Sequence, residues 1–227
     1  MANEEQTILI TQHLSQYLSD HKKSVIEHVL DQRTRHVAIV LEDIFQSQNA
    51  SAVFRTAECF GIQDVHLIEN RNKYSVNKRV LKGADKWLTV RRHRDVNANN
   101  SFQCLSALKL AGYRILATLP NATQSLHEID ITRKVAVVMG NELHGLSQQA
   151  LDLADDRIRI PMYGFTESLN LSVSAAICIN EVISKLHQSS VNWKLTEEEK
   201  NGLRLEWYRK SIRNSSVIIK QYLSSID

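Results

Sequence analysis

The chain is poor in the residues that interrupt or cross-link a fold. Only two prolines and seven glycines occur among 227 residues, which excludes a collagen-like, linker-rich or disordered chain. The three cysteines, Cys59, Cys104 and Cys178, are odd in number and widely spaced, which excludes a disulfide framework and a zinc knuckle. No apolar run approaches the roughly 20 residues of a membrane span, and a polar N-terminus with Glu4 and Glu5 is unlike a secretory signal. We therefore expect a protein of the reducing cytoplasm with no membrane segment.

The remaining composition is that of a globular protein with an uneven distribution of charge. Hydrophobic residues make up 43% and charged residues 23% of the chain, ordinary values for one large or two small domains. The net charge is +3, yet residues 71–94 hold nine basic residues and one acid, Asp85. Such a cationic stretch is typical of a nucleic-acid-binding face. A solvated basic loop is the alternative.

Strand-like and helix-like patterns alternate through the middle of the chain. Short apolar runs predict strands, and apolar residues at three- and four-residue spacing predict the helices between them. The predicted strands cover residues 36–41, 65–68, 87–90, 114–118, 135–139 and 157–160. The predicted helices cover residues 49–60, 101–111, 147–153 and 169–186. This alternation predicts an α/β fold with a mostly parallel sheet and helices on both faces.

Both ends of the chain are predicted to be helical extensions of this core. One helix is predicted over residues 4–30. Another begins at Thr196, where Thr196 and Glu199 form a capping-box pattern, and runs towards the C-terminus. We therefore divide the chain into an N-terminal helical extension (1–30), an α/β core (31–188) and a C-terminal helical extension (189–227).

Several common site patterns are absent. The segment from Gly140 to Ser147 follows a strand and precedes a helix, but Leu146 stands where a phosphate loop needs lysine. The chain has no G-x-G-x-x-G for a dinucleotide and no G-x-S-x-G for a serine hydrolase. The nine histidines form no H-E-x-x-H pattern, and no C-x-x-C occurs, so no catalytic metal is expected.

Three polar segments stand where predicted strands end, and open α/β sheets build their sites there. They are N-A-S-A-V-F-R-T-A from Asn49, V-M-G-N-E-L-H-G from Val138, and I-P-M-Y-G-F-T-E-S-L-N-L-S-V-S from Ile160. A purely structural interpretation makes Asn49 a helix cap, Glu142 a solvent-facing side chain and Ser168 the cap of the next helix. In the functional interpretation, the turns and the helix start bind a ligand.

Taken together, the three segments resemble a known family. N-A-S-A-x-x-R-T-A, V-M-G-N-E-x-x-G and I-P-M-x-G-x-x-x-S-L-N-x-S-V-S-A-A are similar to the three signature motifs of the SPOUT-class RNA 2′-O-methyltransferases. Within that class they most resemble the TrmH group, the tRNA guanosine-18 2′-O-methyltransferases. The resemblance covers about residues 33–188, and the helical extensions are also similar to those of the tRNA enzymes.

The resemblance implies a C-terminal trefoil knot around an S-adenosylmethionine site, a homodimer and a tRNA substrate. It implies cofactor contacts by Thr118, Gly140, Ile160 and Leu169. It also implies a catalytic set of Arg55, Asn49, Glu142, Ser168 and Asn170. RNA contacts are expected from Arg33 and from the basic residues Lys78, Arg79 and Lys82. The basic stretch from Lys78 to Lys86 departs from the Ala/Ser-rich segment that the family pattern leads us to expect there.

The reaction that the resemblance implies is methyl transfer to a ribose 2′-hydroxyl. The family casts the matching arginine as a general base, but a guanidinium stays protonated up to a pH of about 12. We therefore expect Arg55 to orient and polarise the hydroxyl. Glu142 either relays a proton or holds Asn49 or Arg55 in place. Two alternatives remain open: a ribosomal-RNA 2′-O-methyltransferase of the same class, and a catalytically silent RNA-binding protein.

Overall fold

The core of the protein is a seven-stranded sheet in which every pair of neighbouring strands is parallel. The computed structural model describes residues 4–75 and 77–226, with the side chain of Ile226 left aside. The strands are β1 (Thr34–Glu42), β2 (Ile62–Ile68), β3 (Thr89–His93), β4 (Arg114–Thr118), β5 (Gln124–Ser125), β6 (Val135–Met139) and β7 (Asp156–Arg159). Their order across the sheet is β3-β2-β1-β6-β4-β7-β5, which confirms the predicted parallel α/β architecture.

Both faces of the sheet are covered, as predicted. Val37, Ile39 and Leu41 of β1 belong to one buried apolar cluster, whereas Ala38 and Val40 belong to another. Because successive side chains of a strand point to opposite faces, the two clusters lie on opposite sides of the sheet. The helices that cover the sheet are α3 (Ser47–Cys59), α4 (Lys78–Leu81), α5 (Asn100–Leu110), α6 (Gln148–Leu153) and α7 (Leu171–Gln188). Helices α3 and α7 pack against each other, as do α5 and α6.

The two ends of the chain form a second compact unit. Residues 34–193 make up the unit of the sheet, and the described parts of residues 1–33 and 194–227 make up the other. The terminal unit contains α1 (Glu4–Ser15), α2 (Asp20–Leu30), α8 (Glu197–Ser211) and α9 (Ser215–Ile226). Arg204 forms a bidentate ion pair with Glu27 at 2.6 and 2.7 Å, so a side chain of α8 is tied to one of α2. The two extensions were predicted as separate parts of the chain. Residues 1–3 and 227 of these extensions lie outside the described residues.

Two terminal helices that were predicted to be continuous are interrupted. The N-terminal helix ends at Ser15, and a new one begins at Asp20 because the Ser19 side chain accepts a hydrogen bond from Lys22 N–H. At the C-terminus, α8 ends at Ser211 and Asn214 adopts a left-handed conformation with φ of 58° before α9 begins. The predicted capping box of Thr196 and Glu199 is confirmed. No helix among the described residues is long and apolar enough to cross a membrane.

Candidate functional site

The three polar segments meet at the carboxyl edge of the sheet. Strands β1, β6, β4 and β7 are consecutive neighbours in the sheet, so the loops that follow them are brought side by side. Between these loops lies a cavity of about 960 Å³, which is within the size range of small-molecule sites. Residues from the ends of all four strands or from the loops after them line this cavity.

A chain of hydrogen bonds joins the three segments. Asn49 donates from Nδ2 to Glu142 Oε1 at 2.8 Å, and Asn170 donates from Nδ2 to Asn49 Oδ1 at 3.2 Å. A carboxylate only accepts hydrogen bonds, so Glu142 fixes the orientation of the Asn49 amide and leaves its oxygen to Asn170. The Glu142 carboxylate also accepts the backbone N–H groups of Phe45 at 2.8 Å and Gln46 at 3.2 Å, just before α3 begins. Glu142 is therefore anchored at a helix N-terminus, where negative charge is stabilised.

The structural interpretations of these polar residues are wrong. Helix α3 is capped at Gln46, and Asn49 lies inside the helix with 6% of its surface exposed. The cap of α7 is Asn170, whose Oδ1 accepts the Ser172 N–H at 2.8 Å, and not Ser168. Glu142 is only partly exposed and is held by three donors. Burial and mutual hydrogen bonding are what a structured site requires of polar groups.

The loop after β6 is tightly folded on itself. Asn141 and Gly145 exchange two backbone hydrogen bonds of 2.9 Å, and the Asn141 side chain donates to Asp43 C=O at 2.6 Å and accepts from Leu143 N–H at 2.8 Å. A Cβ atom added to Gly140 would overlap the backbone of Gly145 and of Leu146. Sequence reasoning missed the organising role of Asn141, although its place between Gly140 and Glu142 in the second motif was a signal.

The cavity brings together most of the residues singled out in the sequence. Its wall includes Asn49, Glu142, Ser168 and Asn170 of the expected catalytic set. It also includes all four expected cofactor contacts, namely Thr118, Gly140, Ile160 and Leu169. Arg55 lies outside this wall: it is an exposed residue of α3, with no hydrogen bond or ion pair of its side chain among the described residues.

The cavity wall carries little net charge, and the cysteine in it is a poor nucleophile. Its ionisable wall residues are the acids Glu142 and Glu167 and the base Arg159, so the wall has a small excess of negative charge. Cys178 also lines the cavity, but burial raises the pKa of its thiol to about 12. The thiol is therefore protonated at neutral pH and unsuited to nucleophilic attack. The arrangement can hold a cationic or neutral ligand and position a hydroxyl group beside it.

The basic segment is less cationic at its surface than its composition indicates. Arg92 forms a bidentate pair with Glu69 at 2.6 and 2.7 Å, and Arg91 pairs with Asp64 at 2.9 Å. Both acids precede the segment in sequence. A count of charges within residues 71–94 alone therefore overstates the excess of positive charge at its surface. The positively charged residues Lys78, Arg79 and Lys82 are exposed on or beside the short helix α4.

Arg33, the fourth expected RNA contact, is only 1% exposed. Its guanidinium carbon lies 5.4 Å from the ring centroid of Trp207, which is also buried. A cation–π contact of this kind stabilises the terminal unit. An RNA contact through this side chain would require it to leave that position.

Comparison with known proteins places this site in a family. The model of the SpoU rRNA Methylase family matches residues 36–180 of the chain, a range that contains all three polar segments. The chain belongs to the SpoU methylase family. The expected family and fold are thereby confirmed.

Relatives of this SpoU family member share its length as well as its core. It is 43% identical to a tRNA (guanosine(18)-2′-O)-methyltransferase of Borreliella burgdorferi, over 90% of this chain and 92% of that protein. A protein of the same name from Thermus thermophilus is 33% identical, over 72% of this chain and 82% of that protein. The crystal structure of the Aquifex aeolicus TrmH/SpoU tRNA modifying enzyme superimposes with a TM-score of 0.76 at 26% identity and covers 86% of this chain and 98% of the other.

Proposed function

We propose that this protein transfers a methyl group from S-adenosylmethionine to the ribose 2′-hydroxyl of guanosine 18 in tRNA. The observation that carries the proposal is the hydrogen-bonded chain from Glu142 through Asn49 to Asn170, which joins the three motif segments at one cavity. The relatives that match along most of the chain bear this activity in their names. The family description names ribosomal RNA, so a ribosomal substrate is the second candidate.

The cavity fits S-adenosylmethionine in size and charge. Its volume of about 960 Å³ is ample for a nucleoside carrying an amino-acid arm. Its small excess of negative charge suits a sulfonium cation. Gly140 is part of the cavity wall, and its lack of a side chain lets the backbone of Gly145 and Leu146 fold closely against it. Thr118, Gly140, Ile160 and Leu169 are the residues that would hold the cofactor, in large part through backbone groups.

The chain's own residues have to position the hydroxyl and stabilise developing charge. S-adenosylmethionine, when bound, supplies an activated methyl group, so positioning dominates the demand on the protein. Asn49 and Asn170 present amide groups to the cavity, and Ser168 adds a hydroxyl. Glu142 is engaged by three donors, which favours a role in holding Asn49 over a role in proton relay. Arg55 orients the hydroxyl, with a neighbouring phosphate as its counter-ion.

The proposed enzyme works in the cytoplasm as a homodimer with tRNA as its macromolecular substrate. Exposed apolar residues at the start of α7 support the dimer: Val173 and Ile177 are 47% and 36% exposed at four-residue spacing, and Leu169, just before the helix, is 38% exposed. Such a stripe on one helix face is a typical interface element. Exposed Lys78, Arg79 and Lys82 supply positive charge for RNA phosphates. The trefoil knot implied by the family remains a prediction.

The proposal is tested by methyl transfer from labelled S-adenosylmethionine to unmodified tRNA and to ribosomal-RNA fragments, with mapping of the product nucleotide. We expect 2′-O-methylguanosine at position 18 of tRNA. We expect Arg55→Ala to lower the rate about 100-fold or more, the size seen when a charge-stabilising group is removed. Arg133→Ala is the matched control. Arg133 is an exposed arginine just before β6, at the amino ends of the strands and therefore away from the cavity.

Three other outcomes would each lead to a different conclusion about the protein. Transfer to ribosomal RNA alone would establish the second candidate. Cofactor binding, detected as a rise in melting temperature, without transfer to either RNA would indicate a silent RNA-binding protein. Equal losses of methyl-transfer rate in Arg55→Ala and Arg133→Ala would show that Arg55 has no specific role in the reaction.

A further inference from the structure

A second cluster of chemically capable side chains lies outside the cavity. His66 is on β2, His93 is at the end of β3, and Cys104 is on α5. One potential ligand atom from each lies within 4.8 Å of the other two. None of the three lines the cavity, and the proposed methyl transfer makes no use of them. Because the three residues come from separate elements, no sequence spacing reveals them as a group.

The distances within this cluster are those of a metal site. His66 Nδ1 lies 3.1 Å from His93 Nε2 and 3.6 Å from Cys104 Sγ. In a tetrahedral zinc site with Zn–N of about 2.0 Å and Zn–S of about 2.3 Å, nitrogen ligands lie about 3.3 Å apart and nitrogen and sulfur about 3.6 Å apart. The two measured separations are within about 0.2 Å of these values. Two of the three separations between ligand atoms therefore match those of a zinc site, and the third is no longer than 4.8 Å.

The chemistry of the donors selects the class of metal. Two imidazoles and a thiol suit Zn²⁺ and exclude hard ions such as Mg²⁺ and Ca²⁺, which prefer oxygen ligands. The guanidinium of Arg91 is a positive charge near the cluster. The Arg91 charge is itself balanced by Asp64 at 2.9 Å. The Cys104 thiol would release its proton to solvent as its sulfur binds the metal.

We propose that His66, His93 and Cys104 bind one Zn²⁺ ion, with a water molecule as the fourth ligand. His93 is partly exposed, which provides both a path for the ion and a source of the water. The ion would join β2, the edge strand β3 and α5. Residues 69–88, which include the exposed Lys78, Arg79 and Lys82, connect β2 to β3. Zinc thereby stabilises the edge of the sheet that carries the predicted RNA-binding surface.

The test is a titration of the full-length, EDTA-treated protein with Co²⁺, followed by displacement with Zn²⁺. Wild type is expected to develop a thiolate-to-cobalt charge-transfer band that saturates at one equivalent per chain and disappears when Zn²⁺ is added. Zn²⁺ at about 100 times its Kd is expected to raise Tm by about 5 °C or more. Binding releases the Cys104 proton, which is measurable in weak buffer.

Two variants and a control locate the site. Cys104→Ser is expected to abolish the charge-transfer band, and His93→Gln to weaken Co²⁺ binding at least about 10-fold. His93→Gln changes a partly exposed side chain, so it keeps the test valid if Cys104→Ser does not fold. Cys178→Ser is the matched control, because Cys178 is equally buried but is not part of the cluster. No charge-transfer band in wild type, or equal bands in Cys104→Ser and Cys178→Ser, would overturn the proposal.

Discussion

At Gly140 the backbone leaves no space for even one side-chain carbon. A Cβ atom there would overlap Gly145 and Leu146, so alanine must push apart the folded loop after β6. Overpacking of this kind costs about 1–3 kcal/mol, which corresponds to about a 5- to 150-fold loss of S-adenosylmethionine affinity if the whole cost falls on the binding site. We expect Gly140→Ala to show that loss by calorimetry and to have a lowered Tm.

The same cavity contains a glycine that serves as the control for this substitution. A Cβ atom on Gly164 would meet no other atom within 4 Å, so Gly164→Ala is expected to bind the cofactor as wild type does. If both alanine variants bind with wild-type affinity, the close approach at Gly140 has no part in the site.

Individual residues also mark the limit of sequence reasoning. The sequence placed Asn49, Glu142 and Asn170 near strand ends, and the fold does bring them to one cavity. The capping preferences of single residues could not determine which polar residue caps each helix. Asn170 and Ser168 are both good caps by chemistry, and only the path of the chain into α7 selects Asn170. Likewise, Asn49 is a favoured cap residue that the fold uses inside α3.

For strands and helices, the degree of burial determined which of their ends could be predicted from the sequence. Strands β4 and β6 were predicted at their observed bounds, residues 114–118 and 135–139, because strands covered on both faces are continuous apolar runs. The break between α1 and α2 was missed, although the polar residues 19–24 interrupt the apolar spacing there and Ser19 caps the new helix. The short helix α4 was missed because four residues are too few for a helical period.

A bidentate ion pair helps to attach the edge strand β3 to the loop after β2. Glu69 accepts two hydrogen bonds from Arg92 and one from Tyr74 N–H. Burial alone would raise the pKa of Glu69, but these hydrogen bonds and the charges of Arg92 and Arg94 outweigh it and hold the pKa below its ordinary value of 4.5. The pair therefore stabilises the fold above pH 4.5 and is lost as the pH falls through the lowered pKa.

We expect Glu69→Gln to lower the free energy of unfolding by about 1–3 kcal/mol at pH 7, since the bonds it loses are charge-assisted. The deficit relative to wild type is expected to shrink below pH 4.5, where wild type loses the same charge. Urea unfolding at pH 7 and at lower pH measures both. Asp85→Asn, which changes an exposed acid of the same segment, is expected to have no such effect. A deficit independent of pH would contradict the assignment.

For the whole molecule, the exposed stripe on α7 makes the oligomeric state testable. A charge placed at Val173 would be buried against a second copy without a partner, which interfaces do not tolerate. We expect wild type to be a dimer by light scattering and Val173→Glu to be a monomer at the same concentration. Val217→Glu is the control, because Val217 is an exposed valine of α9 in the terminal unit. A monomeric wild type, or a dimeric Val173→Glu, would contradict the proposed dimer.

The order of the strands has a consequence for how the protein is made. Strand β1 ends at Glu42, yet its second neighbour, β6, begins at Val135, and β4 then separates β6 from β7. Contacts between such distant segments of the chain slow folding. During synthesis the first half of the sheet must wait, with one side of β1 unpaired, until β6 has left the ribosome. The nascent chain is therefore most vulnerable to aggregation over this interval, when a chaperone that covers unpaired strand edges would help it most.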